Sequence, residues 1–241
     1  MYKIGIDVGS TFTKYCVMQN DQIVSLFVEK TPIKQKEYFD KKIDELKHKY
    51  INPIIKSCGY GKNNIDSIES INELTALAKG SNYVSAELTT VLDIGGQDTK
   101  IIVQENGNLK DFFLNDRCAA GSGMFLQNTC NLLDIDFHSI DLTNSDEHII
   151  KLSSVCAVFA QSEITQLLAS NVSPEAIIKA VIYQTLSKAK TLVEKTNAET
   201  ILLSGGFSQI KGIEKYCDDI FNRKVVINKY GSYLSAIGCC L

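Results

Sequence analysis

Proline is scarce, with three residues in a chain of 241, and no low-complexity stretch occurs, so the sequence supplies no flexible linker between independent domains. Long apolar runs are missing as well. No stretch approaches the roughly 18 to 20 residues needed to span a bilayer, and the first residues enter a strand-like segment without an apolar signal region. The expectation is a cytoplasmic protein with no membrane partner. Positive charge has no excess: 25 Lys and Arg face 28 Asp and Glu, the net charge is −3, and basic residues are interspersed with acidic ones, which excludes a nucleic-acid partner. The three histidines, His48, His138 and His148, share no spacing and sit in polar surroundings, as surface residues do. Cysteine is plentiful at eight, yet no pair has the Cys-x-x-Cys spacing of a zinc ribbon or a redox dithiol, and a reducing compartment disfavours disulfides.

What is present is enough for a core. At 44% hydrophobic and 22% charged residues, the chain can fold as one large domain or two small ones. Its most informative feature is an internal repeat. Asp7-Val8-Gly9-Ser10-Thr11-Phe12-Thr13-Lys14 returns as Asp93-Ile94-Gly95-Gly96-Gln97-Asp98-Thr99-Lys100, 86 residues further on. An apolar run precedes each copy (Tyr2 to Ile6, Val91 to Leu92), a strand-like run follows (Tyr15 to Met18, Ile101 to Val103), and a polar turn leads to another strand-like run (Ile23 to Val28, Leu109 to Leu114). Whole hairpins repeat in register, which implies a duplication that points two matched turns at one ligand.

Those turns suit a nucleoside triphosphate. Glycine lets the backbone bring its N–H groups up to an anion, the hydroxyls of Ser10 and Thr11 add donors, and an aspartate at a strand's end can hold a hydrated Mg²⁺. A single Asp-x-Gly is read most simply as a tight turn, but tight turns need no shared lysine.

Six cysteines, Cys16, Cys58, Cys130, Cys217, Cys239 and Cys240, are read as small buried hydrophobes. Cys118 and Cys156 differ. Cys118 follows the Asn115-Asp116-Arg117 turn and opens Ala119-Ala120-Gly121-Ser122-Gly123 ahead of an apolar helical period. Cys156 lies between a strand-like Ile149 to Ser154 and a helical Val158 to Leu168. A helix start favours a thiolate, which makes both positions competent metal ligands, with a buried structural role as the alternative.

The chain resembles the ATP-dependent activators of 2-hydroxyacyl-CoA dehydratases, within the BadF/BadG/BcrA/BcrD ATPase group. The resemblance runs over nearly the whole length: Gly5 to Thr11, Gly59-Tyr60-Gly61, Glu73 to Ala76 with Ala78-Lys79-Gly80, Asp93 to Asp98, Asn115 to Gly123, Cys156 to Glu163, Ser204 to Phe207 and Ala236-Ile237-Gly238. The phosphate motifs are shared with actin-like ATPases and sugar kinases; the two cysteine segments are more specific. The resemblance implies a homodimer holding one [4Fe-4S] cluster, with Cys118 and Cys156 contributed by each chain. It also implies an electron donor, ferredoxin or flavodoxin, and an acceptor, a 2-hydroxyacyl-CoA dehydratase or a related double-cubane cluster enzyme.

On this reading Asp7 and Asp93 serve Mg²⁺ and phosphate geometry. Gly9, Ser10, Thr11, Gly95 and Gly96 line the phosphates of ATP or ADP, together with Asp98. Gln97 orients the attacking water, and Lys14 and Lys100 either neutralise phosphate or face solvent. Gly205, Gly206 and Phe207 bring a helix start to the adenosine or α-phosphate. The chain departs from the family at Ile210, where Asn is common, at Asn171, where a helix-ending Gly is usual, and at Leu77, which replaces a frequent His. Glu37 to Tyr50 reads as an amphipathic helix, and Ser173-Pro174-Glu175 caps another from about Ala176 to Glu194.

The expected architecture is α/β, with two actin-like (ribonuclease H-like) half-domains of mixed sheets: residues 1–86 and 87–241, a hinge near Val84 to Leu88, and a last helix, 234–241, packing back on the first half. A small-molecule kinase of the same fold without a cluster, and a nucleotide-binding regulator or filament protein, are the competing classes.

Overall fold

The computed structural model of this chain describes residues 1–67, 69–115, 118–143, 149–154 and 156–241. Its elements run β1 (Tyr2–Val8), β2 (Phe12–Gln19), β3 (Gln22–Lys30), α1 (Gln35–Lys49), β4 (Ile54–Cys58), β5 (Glu69–Ser70), α2 (Glu73–Val84), β6 (Thr90–Ile94), β7 (Thr99–Glu105) and β8 (Asn108–Asn115). They continue with α3 (Gly123–Leu133), α4 (Ala157–Ala169), α5 (Pro174–Val193), β9 (Thr200–Gly205), α6 (Ile213–Phe221), β10 (Lys224–Ile227) and α7 (Leu234–Cys239). Two compact units result. One comprises Met1–Thr89, Ile102–Asp111 and Tyr233–Leu241; the other comprises Thr90–Ile101 and Phe112–Ser232. Ile102–Asp111, placed with the second half on sequence grounds, therefore groups with the first.

The duplication reaches further than the hairpins. One sheet has the order β3-β2-β1-β4-β5 and the other β8-β7-β6-β9-β10, the same sequence of positions. β1 pairs antiparallel with β2 and parallel with β4, while β9 pairs parallel with both β6 and β10. The two-residue hairpin loops match as well. Asn20 and Asp21 have φ of 51° and 60°, and Asn106 and Gly107 have 53° and 77°. Left-handed conformation at both central positions is the type I′ turn, whose twist suits paired strands and whose backbone favours Asn, Asp and Gly.

In the first unit, alternation along β1 separates two faces. Ile4, Ile6 and Val8 join Tyr15, Val17 and Ile55 in a core closed by Phe39, Ile43 and Leu46 of α1. Those helix residues recur at spacings of four and three, one stripe of a 3.6-residue period. The opposite face of β1 meets α7 at Gly5, where a Cβ would lie 1.9 Å from the carbonyl oxygen of Ala236. Only glycine permits that approach.

The core of the second unit is built around α5. Ile177, Val181, Leu186 and Val193 of this helix pack with Leu92, Ile94, Ile201 and Leu203 of the strands and with Phe125 and Leu126 of α3. α5 begins as its sequence requires: Pro174 occupies the first turn, and the Ser173 side chain accepts the Ala176 N–H at 3.2 Å. The preceding helix α4 ends in a Schellman motif, with the Asn171 N–H on Leu168 O and the Val172 N–H on Leu167 O, both at 3.0 Å. Asn171 has φ of 60°, so it takes the left-handed position at which glycine is usual.

Ile149 to Ser154 is not a strand. Side chains hold it instead: the Glu163 carboxylate accepts the Ser153 N–H (2.7 Å), the Ser153 hydroxyl (3.0 Å) and the Ser154 N–H (3.0 Å), and the Gln184 amide donates to Ser154 O at 2.8 Å. His48 and His138 are exposed. His148, and Asp116 and Arg117 ahead of Cys118, lie outside the described residues.

Candidate functional site

Each unit carries one glycine turn, and each turn begins at a buried aspartate. In the first unit Asp7, 6% exposed, stands opposite Lys14 in the β1–β2 ladder, and the Lys14 Nζ lies 3.6 Å from Asp7 Oδ2. The Cys58 thiol, at the end of neighbouring β4, donates to Asp7 Oδ1 at 3.7 Å. Gly59 follows with φ of 87°; a Cβ there would come within 2.8 Å of the same carboxylate oxygen. The turn is tied to the end of β3, because Thr31 donates its hydroxyl to Gly9 O at 2.7 Å and sits 2.9 Å from Thr13 Oγ1. Ser10 is half-buried, and Thr11 Oγ1 is buried with no hydrogen-bond partner among the described residues. An orphaned hydroxyl in an anion-type turn is a group that a ligand can satisfy.

The second turn is wired differently. Asp93, 8% exposed, lies 3.4 Å from the Lys100 Nζ, and that ammonium also reaches both Asp98 oxygens, at 3.1 and 3.2 Å. Lys100 is 2% exposed, so the alternative that it faces solvent does not hold. Gln97 is exposed at the tip, between half-buried Gly96 and Asp98, and the Gly95 N–H closes the turn on Asp98 O at 2.9 Å. α3 abuts this turn: the N–H groups of Gly123 and Met124 each donate at 2.8 Å, to Gly95 O and Gly96 O, and the Thr99 hydroxyl donates to Gly121 O.

A third loop follows β9. Gly205 has φ of 79°, and a Cβ would meet Ile94 O at 2.2 Å, whereas Gly206 has open space where its side chain would be. Two expectations fail here. Gly206 opens a single 3-10 turn, Gly206–Gln209, and α6 begins only at Ile213, so no α-helix start follows directly. Phe207 is fully buried in the core, which leaves its ring unable to touch a nucleotide. The hydrophobic demand of that core outweighs the proximity in sequence to Gly206. Ile210, 2% exposed, is absorbed by the same core.

The cysteines divide as their contexts suggest. Cys16, Cys58, Cys130, Cys217, Cys239 and Cys240 are buried, Cys118 is half-buried and Cys156 is exposed. Cys156 immediately precedes α4, and its carbonyl accepts the Ala160 N–H at 2.9 Å. Cys118 is separated from α3 by a single turn, Ala119–Gly121. Burial pushes the Cys130 thiol up to about 11. Cys58 is raised well above the ordinary thiol range by its hydrogen bond with Cys239, by burial and by the Asp7 charge, so it remains a neutral donor. Its contact with Asp7 escaped the sequence, which carries no sign that β4 lies beside β1. No group of three or more His, Cys, Asp and Glu is arranged to hold a metal among the described residues.

Two five-stranded mixed sheets of one order, each with a glycine turn after its first strand, define an α/β protein of the actin-like ATPase class. Residues 4–241 match the model of the BadF/BadG/BcrA/BcrD ATPase family, and the chain belongs to that family. It is 36% identical over 99% of its length and 99% of the relative's to the protein MJ0004 of Methanocaldococcus jannaschii. It is 31% identical to the activator of lactoyl-CoA dehydratase of Anaerotignum propionicum, over 100% of this chain and 96% of that one. The solved activator of the 2-hydroxyisocaproyl-CoA dehydratase from Clostridium difficile, with bound ADPNP, superposes with a TM-score of 0.89 at 29% identity, covering 100% of this chain and 93% of that one. No helix among the described residues is long and apolar enough to cross a membrane.

Proposed function

We propose that the protein is an ATP-hydrolysing electron-transfer activator that works as a homodimer and serves a 2-hydroxyacyl-CoA dehydratase or a related double-cubane cluster enzyme. The observation that carries this reading is the sorting of the thiols: of eight cysteines, the two that are not buried are Cys118 and Cys156, both in the second unit and both leading into helices. A [4Fe-4S] cluster takes four thiolates, one chain offers two, and a two-fold axis doubles them. When bound, such a cluster supplies one-electron carriage from ferredoxin or flavodoxin to the acceptor. Exposed Val158 and Phe159, 72% and 69% accessible just after Cys156, are apolar surface of the kind a second copy would cover.

Toward nucleotide, Asp7 and Asp93 are the residues that would serve hydrated Mg²⁺ and phosphate geometry, and the N–H groups and hydroxyls of Gly9, Ser10, Thr11, Gly95 and Gly96 would donate to phosphate oxygens. Lys14 and Lys100 hold the aspartates of their own turns in place as well as adding positive charge. Gln97, exposed at its turn, orients the water that attacks the γ-phosphorus, releasing ADP and phosphate. Gly205 and Gly206 give a nucleotide access to the backbone after β9.

Protein purified without oxygen and with full iron supply should show the broad visible absorbance of an iron–sulfur chromophore, bleached by air and lost in Cys118→Ala and in Cys156→Ala. Colourless wild-type protein under those conditions would sink the electron-transfer reading.

A further inference from the structure

The glycine turn after β6 has two working edges. A trans peptide unit is planar, so the C=O of Gly95 and the N–H of Gly96 move as one rigid body and point in opposite directions; the C=O of Gly96 and the N–H of Gln97 form the next such body. The carbonyl ends of both units are held by α3, through the N–H groups of Gly123 and Met124 at 2.8 Å each. Thr99, fully buried on β7, adds a third tie by donating its hydroxyl to Gly121 O. The tied segment begins at Cys118, whose carbonyl accepts the Gly121 N–H at 2.9 Å.

In the other half of the duplication the equivalent atoms have other partners. There the carbonyl of Gly9, equivalent to Gly95, accepts the Thr31 hydroxyl, and Thr13, equivalent to Thr99, meets the same Thr31. The carbonyl of Gly9 is thus tied to its own hairpin, at the end of β3, while the neighbouring Val8 carbonyl accepts the Gly61 N–H at 3.2 Å, from the segment after β4. The repeat is kept, but in the second copy the carbonyls of both glycines and the threonine are spent on the segment that begins at Cys118.

We propose that the peptide units Gly95–Gly96 and Gly96–Gln97, with Thr99, are the element that transmits nucleotide state to Cys118, and that Thr99 and Gly123 are its positioning residues. The inference rests on the proposed contact of this turn with phosphate. A phosphate oxygen accepting an N–H from one edge rotates and polarises the same peptide plane whose carbonyl holds α3, so the α3 bonds strengthen or weaken together with it. Loss of the γ-phosphate changes the pull on the N–H edge, and the carbonyl edge passes the change to Gly121–Met124 and hence to Cys118.

Gly123→Ala is the direct test. A Cβ at Gly123 would lie 2.9 Å from Gly95 O, a backbone atom that must shift, while alanine is the better helix former and does not weaken α3 by propensity. Thr99→Val removes the hydroxyl and keeps the β-branched shape, and Thr99→Ser restores the donor. The full chain, purified without oxygen and then stripped of iron, is alkylated with iodoacetamide under saturating ADP or saturating non-hydrolysable ATP analogue, and Cys118 and Cys156 are read separately by peptide mass spectrometry. The expected result is a Cys118 rate that depends on the nucleotide in the wild type, loses that dependence in Gly123→Ala and Thr99→Val, and regains it in Thr99→Ser. Cys156, whose loop is held by Glu163 and Gln184, should keep its wild-type rates in all three variants. Persistence of the Cys118 dependence in both Gly123→Ala and Thr99→Val, or its absence from the wild type, overturns the proposal. A colourless wild type whose Cys118 still responds to nucleotide supports the transmission element and removes the iron–sulfur reading alone.

Discussion

Lys14 and Lys100 occupy equivalent positions of the repeat, and their surroundings make them unequal. Lys100 is 2% exposed and shared between Asp93 and Asp98, whereas the Lys14 side chain keeps 21% of its accessibility and stands 3.6 Å from Asp7. Removing one partner of a buried ion pair leaves uncompensated charge, at a cost of about 3–5 kcal/mol. A partly exposed pair contributes about 1 kcal/mol or less. Urea denaturation should therefore show Lys100→Met destabilising by roughly 3–5 kcal/mol and Lys14→Met by about 1 kcal/mol; equal losses would contradict the distinction. The shared lysine was legible in the repeat, but its partners were not. Which carboxylates an ammonium meets depends on strand pairing and burial, and for Phe207 burial likewise decided against a ligand role.

At the scale of elements, the helix boundaries were the most legible feature. Ser173 and Pro174 start α5, and Asn171 stops α4, because capping chemistry is local and each signal lies within a few residues of the end it makes. Asn171→Ala puts a Cβ-bearing residue without a local polar group into φ of 60° and should cost about 1–2 kcal/mol, with Asn171→Gly neutral or better; both are read from thermal or urea midpoints. α1 is attached to β3 through Glu29, whose carboxylate accepts the Tyr38 hydroxyl at 2.6 Å and the Lys42 ammonium at 2.9 Å. Burial works to raise the Glu29 pKa, but those two hydrogen bonds outweigh it and hold the group below its ordinary value. A carboxylate with a lowered folded pKa stabilises fully above the unfolded value of about 4.3, and loses that contribution as pH falls through the folded one. Glu29→Gln should thus flatten part of the acid limb of a stability-versus-pH profile; an unchanged limb would count against the attachment. The loop ahead of Cys156 went the other way. Its apolar Ile149 and Leu152 suggested a strand, yet no strand pairs with it among the described residues, and Glu163 and Gln184 supply hydrogen bonds to it instead.

For the molecule as a whole, the duplication governs the expected assembly. Both sheets share one order, but among the described residues three α-helices, α3 to α5, stand between β8 and β9, where α1 stands between β3 and β4. That enlargement carries Cys118 and Cys156. If two chains share one cluster, anaerobic protein should run as a dimer by light scattering and contain about two irons per chain, and chelation of the iron should remove the colour. A monomer that retains four irons would require another ligand set.

The sequence by itself determined the duplication, the two glycine turns, the hairpin loops and the helix caps, because each depends on contacts or φ preferences spanning only a few residues. Tertiary structure decided the rest: that β4 and β9 insert beside the repeated hairpins, that Cys58 meets Asp7, that Lys100 is sealed between two carboxylates, and that α3 is fastened to the turn after β6. Those outcomes join residues tens of positions apart, and the choice among them is made by burial of apolar faces, which no local pattern records.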